Sequence, residues 1–156
     1  MSTTAATTIS PELARALRDS GLVWHPAVGD AFSIDRLEVD ADVFILSDMT
    51  VEAHQYSTGT VLGFNGTTEW ALDSVSLEDT LWLPREDQLR TLLRRCFRSL
   101  EVLPGGGFRV STIFSDLPQS FEARTAVDAY AKALLLFIDE SIGDPFPDLE
   151  HELPRI

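Results

Sequence analysis

"PREDQLRTLLRRCFRSLEVLPGGGFRVSTIF", residues 84–114, carries two different periods in one stretch. Leu89, Leu92, Leu93, Cys96, Phe97 and Leu100 stand at i, i+3, i+4, i+7, i+8 and i+11. That spacing predicts one buried helical stripe between Pro84 and Leu100. Glu86 and Asp87 fall in its first turn, and Arg94, Arg95 and Arg98 near its end, which suits the helix dipole. The second half, "LEVLPGGGFRVSTIF", sets two β-rich runs on either side of Gly105, Gly106 and Gly107, the pattern of a hairpin. A helix that runs into an antiparallel hairpin points to an α+β fold.

Downstream, Ala123, Val127, Tyr130, Leu134, Phe137 and Ile138 share one face of a helix expected over about 121–140. Upstream, Ser10-Pro11 and Gly21 bracket a first helix over about 11–20. Strand-like runs lie between. They include "AFSI", "VFILS" at 43–47 (read as a central strand), "TVEAHQY" and "TVLGF", with a turn at "STG", 57–59. In "GFNGTTEWALDSV", residues 63–75, Asn65-Gly66 reads as a tight hairpin turn. Beyond it Thr68, Trp70, Leu72 and Ser74 alternate with Glu69, Ala71, Asp73 and Val75. A helix starting at Thr68 stays open as the alternative. The expected organisation is a flexible leader at 1–8, a single α+β domain at 9–142, and an acidic, proline-containing tail at 143–156. Its sheet is mainly antiparallel, with about six to eight strands and three helices packed on it.

Composition excludes several function classes. Twelve basic and 25 acidic residues give a net charge of −13, a field that repels nucleic-acid phosphates and anionic lipid and attracts a basic partner. No nucleic-acid or membrane partner is therefore expected. One cysteine forms no internal disulfide. "MSTTAATTIS" lacks the features of a signal peptide, and "ALLLFI", 133–138, is too short to span a bilayer. A cytoplasmic protein is expected. "PGGGFRV" is not followed by Lys-Ser or Lys-Thr, so it is no phosphate loop, and G-x-S-x-G, C-x-x-C and H-E-x-x-H do not occur. No cofactor is expected.

One candidate chemistry remains. On a strand, Asp48, Thr50, Glu52, His54 and Tyr56 share a face. Two carboxylates and an imidazole on one face suit a divalent metal or acid–base work, and Glu69 and Asp73 could join from a neighbouring strand. The wet face of an antiparallel sheet shows the same polar stripe without any chemistry. Arg90, Arg94 and Arg98 form a ridge at i, i+4 and i+8 on the predicted helix, a candidate interaction surface. Dipole matching explains it equally, and the acidic tail is a candidate cover for it. Cys96, on the apolar stripe, reads as a core residue. Leu136 lies off the buried face of the last helix, with Ala129 and Ala133 beside it, which suggests a weak homodimer. Trp24, Trp70 and Trp82 suit either a core or a ligand pocket.

"VFILSDMTVE", "GFNGTTEWALDSV", "LWLPREDQLR" and "EARTAVDAYAKALL", spread over about residues 43–136, resemble a small family of uncharacterised actinobacterial proteins. Some of its members carry a pilus-assembly label. The resemblance implies a compact α+β domain and brings no activity or catalytic residues. The pilus-assembly protein of that name is similar to partition-type ATPases, which depend on the phosphate loop this sequence lacks. The expected function is a non-catalytic cytosolic accessory or protein-interaction protein that captures a basic partner, as an immunity protein or inhibitor does. The alternatives are a small hydrolase or metal-dependent enzyme using Asp48, Glu52 and His54, and a small-molecule binding module.

Overall fold

The computed structural model describes residues 8–34, 42–47, 51–56, 59–64 and 74–143, with 51–56, 59–64, 74–75 and 142–143 described by backbone alone. The fold is α+β, with antiparallel sheets and three helices. The chain divides into two compact units, one over residues 24–83 and one built from residues 1–23 and 84–156.

The first unit holds β1 (Ala31–Ile34), β2 (Phe44–Ile45), β3 (Val51–Tyr56), β4 (Gly59–Phe64), β5 (Ser74–Ser76) and β6 (Thr80–Leu83). They form two three-stranded antiparallel sheets, in the orders β2-β1-β6 and β3-β4-β5. Phe32 is fully buried, with the rings of Trp24 and Phe44 at 5.4 and 5.6 Å. The turn before β1 is organised by Asp30. This buried carboxylate accepts from Trp24 Nε1 at 2.9 Å and from the Ala27 amide at 3.0 Å. Its backbone carbonyl accepts from the Leu46 amide at 2.8 Å, while the Gly29 amide donates to the Leu46 carbonyl at 2.8 Å.

"VFILS" is not a central strand: only Phe44–Ile45 pair, at the edge of their sheet, and Val43 and Ile45 are exposed. A continuous apolar run does not by itself require burial on both faces. Asn65-Gly66 and the residues through Asp73 lie outside the described residues. The strands on either side are described, and their register sets Gly63 opposite Ser74. A two-residue link at Asn65-Gly66 would instead pair residue 64 with residue 67, so the register of these strands is not centred on that dipeptide. Tyr56 opposite Gly59 does leave a two-residue link at 57–58, where the turn was expected.

The second unit begins with α1 (Pro11–Asp19), which buries Ala14 and Leu17. Gly21, at φ +111°, ends it: the Gly21 amide donates to Arg18 and the Leu22 amide to Leu17, both at 3.0 Å. These two bonds satisfy carbonyls the helix would leave open, and the left-handed residue between them favours glycine. α2 spans Glu86–Leu93 and not Pro84–Leu100. Arg94 breaks it at φ +53°, a 3-10 turn follows through Cys96, and Phe97–Val102 forms β7. β8 (Phe108–Phe114) and β9 (Leu117–Ala123) complete a sheet in the order β7-β8-β9. β9 replaces the expected first turn of the last helix and brings the described strands to nine. A two-residue turn joins it to β8, with Ser115 and Asp116 at φ +49° and +65°.

α3 (Ala126–Gly143) lies at the centre of this unit. It packs on α1 and α2, and on β8 and β9. Val127, Ala129, Tyr130, Ala131, Ala133, Leu134 and Phe137 are all buried. A helix covered on several sides needs apolar residues all round, which explains the unbroken "ALLLFI" run. Phe97 packs against Tyr130 at 5.5 Å, and Phe114 meets Phe137 edge-on at 5.3 Å. Asp128 Oδ1 accepts from the Ser10 amide at 2.9 Å and so holds the start of α1.

Candidate functional site

The carboxylate–imidazole face is only partly described. Glu52 and His54 occupy alternate positions of β3, opposite Gly63 and Val61. Asp48, Thr50, Glu69 and Asp73 lie outside the described residues, as does Trp70. Trp24 and Trp82 are core residues, each 8% exposed. Among the described residues no three His, Cys, Asp or Glu side chains group as metal ligands.

The arginine ridge is not a helical ridge. Arg90 is exposed on α2, Arg94 is the residue that ends it, and Arg98 stands at a β-bulge between Phe97 and Ser99. Arg98 donates to the backbone carbonyls of Arg95 at 2.6 Å and Phe97 at 3.3 Å, so it braces the bend from helix to strand. The dimer strip also changes. Ala129 and Ala133 are 0% and 2% exposed, covered from within their own unit. Leu136 is half-buried and lines a cleft between α3 and the sheet with Cys96, Phe114, Phe121 and Phe137. The cleft holds about 10 Å³ of space at its centre, room for about one water. It is a packing gap on the scale of a solvent molecule and too small for a substrate.

The sheet β7-β8-β9 offers more. One face meets α3 through Val110, Thr112 and Phe114. On the other face the register builds cross-strand rows. Glu101, Arg109 and Glu122 form one row, and Ser99, Ser111 and Ser120 the next. Arg109 lies between two carboxylates, 3.9 Å from Glu101 and 3.7 Å from Glu122. All three are partly exposed, so these contacts are weak, and one arginine leaves the row with an excess negative charge.

The two edges of this sheet differ. In the β7–β8 loop the Leu103 amide donates to the Gly107 carbonyl at 2.9 Å. Pairing alternates along an antiparallel ladder, so Glu101 faces Arg109 as a hydrogen-bonded pair, while Leu100 and Val102 form non-bonded pairs. The amides and carbonyls of Leu100 and Val102 therefore point away from β8, toward the bare edge. Their side chains are also exposed, Val102 at 77% and Leu100 at 37%. On β9 the same alternation turns the backbone of Pro118, Ser120 and Glu122 outward. Pro118 has no amide to offer, and the Glu122 carbonyl already accepts from Lys132 Nζ at 2.8 Å. The single lysine of the chain thus closes one end of the β9 edge and proline the other. Natural sheets blunt their edges in this way. Among the described residues β7 has no such cover and pairs with no strand but β8.

The sequence reading counted Leu100 both in the helix stripe and in the first run of the hairpin, and it did not single out Leu100, Glu101 and Val102 as functional residues. The signal was present as the alternation Leu100-Glu101-Val102 directly before "PGGG". No helix among the described residues is long and apolar enough to cross a membrane. No family model matches this chain, and neither a curated protein nor a solved structure is significantly similar to it.

Proposed function

We propose that this chain is a non-catalytic protein-interaction module of the cytosol, which captures a basic partner as an immunity protein or an inhibitor does. The observation that carries the reading is the open edge of β7. Leu100 and Val102 present exposed apolar side chains and outward backbone groups together, while the opposite edge is interrupted at Pro118 and at Glu122, whose carbonyl takes Lys132. An edge left open is a template for another strand. The net charge of −13 favours a basic partner and speeds its approach.

The test is capture of partners on the immobilised protein, identification by mass spectrometry, and reconstitution with each purified partner. Val102→Pro removes an outward amide at a position where an edge strand tolerates proline. The complex should be lost in this variant, with the circular dichroism of the wild type retained. A reconstituted partner that binds Val102→Pro as tightly as the wild type would refute the reading.

A further inference from the structure

We infer that the β7 edge takes an extended segment of another protein as a fourth, antiparallel strand, and that this segment carries a basic residue between two apolar ones. The inference rests on the interaction reading above and specifies its partner.

The register follows from the ladder. Leu100 and Val102 direct amide and carbonyl outward, so an added antiparallel strand forms its hydrogen-bonded pairs at these two residues. Glu101, between them, becomes a non-bonded pair, the kind in which facing side chains come closest. The incoming residue opposite Glu101 therefore lies on the face of the Glu101–Arg109–Glu122 row. That row has one cation for two carboxylates. A lysine or arginine there completes the alternation of charge, and a carboxylate would add a third negative group. The residues on either side share the face of Leu100 and Val102 and are apolar for the same reason.

A second copy fits less well. Setting Leu100 of each copy opposite Val102 of the other places the two Glu101 residues directly opposite each other. Like charges in that position destabilise a strand pair. Each copy also brings a net charge of −13.

The test uses two capped peptides, Thr-Val-Arg-Val-Thr and Thr-Val-Glu-Val-Thr, titrated at millimolar concentrations into the full isotope-labelled chain. The readout is amide exchange and chemical shift by NMR. In the free protein the Glu101 amide should exchange slowly and those of Leu100 and Val102 fast. The arginine peptide should slow exchange at Leu100 and Val102 and bind about fivefold tighter than the glutamate peptide. Glu101→Gln should narrow that preference, and Val102→Pro should remove the shifts at Leu100. Equal binding of the two peptides, with the same amides protected, would overturn the basic-partner inference and leave the open-edge reading standing. No protection at Leu100 and Val102 from either peptide would overturn both. Protection that grows with protein concentration in the absence of peptide would assign the edge to a second copy and overturn the inference.

Discussion

The three glycines of the β7–β8 loop form an internal control for backbone strain, and alanine at each should give a graded response. Gly107 has φ +91°, and a Cβ built on it would lie 2.7 Å from the Ala123 carbonyl oxygen. A carbon and an oxygen normally stay about 3.3 Å apart, so roughly 0.6 Å must come from moving one backbone against another. The left-handed conformation adds about 1–2 kcal/mol for any residue with a Cβ. Overpacking that displaces backbone adds about 1–3 kcal/mol, so Gly107→Ala should cost about 2–5 kcal/mol. Gly106 has φ +100° and nothing within 4 Å of its Cβ position, so Gly106→Ala should cost only the strain, about 1–2 kcal/mol. Gly105 has neither a positive φ nor a close neighbour. Alanine there should be neutral or stabilise by about 0.4–1 kcal/mol through the unfolded chain. Urea and thermal unfolding followed by circular dichroism read all three, at about 2–4 °C per kcal/mol for a chain of this size. If Gly107→Ala and Gly106→Ala melt at the same temperature, the close approach of the loop to the end of β9 is wrong. The ladder alternation inferred from the Leu103–Gly107 bond would then need rebuilding.

Leu134→Ala should cost about 3–5 kcal/mol, because Leu134 is 0% exposed at the centre of α3, while Leu136→Ala, at a half-buried position lining the cleft, should cost well under half as much by the same unfolding assay. Asp30→Ala should cost about 1–3 kcal/mol, since it strands the Trp24 indole and the Ala27 amide in a buried turn, and Asp30→Asn should recover part of that through its remaining acceptor; equal loss in both variants would discount the hydrogen bonds.

Legibility in the sequence followed punctuation. α1 was readable because Ser10-Pro11 and Gly21 mark both ends, and the β7–β8 hairpin because three glycines interrupt two β-rich runs. The end of α2 was not readable. Cys96, Phe97 and Leu100 continue its helical spacing, yet Phe97 and Leu100 are placed by pairing with Thr112 and Val110 on β8. Pairing with a distant strand overrides a local period. β9 was hidden for a related reason. Its turn uses Ser115 and Asp116 at positive φ, where a reader of turns looks for asparagine or glycine. The candidate site was less legible still. That Leu100 and Val102 face outward depends on which residues close the loop, and that Lys132 closes the far edge depends on how α3 lies along β9.

The bond between Ser10 and Asp128 has a consequence for the chain as it is made. It joins residues 118 positions apart, and α1 packs on α3. A ribosome adding about 5–20 residues per second takes roughly 6–24 seconds to cover that distance. For that interval α1 has emerged while the helix it packs on does not yet exist. Residues 24–83 are complete long before α3, so they can fold while the first helix waits. The apolar side of α1, Ala14 and Leu17, is then a nascent surface open to a chaperone or to aggregation, and a ribosome that stalls before residue 126 leaves it so.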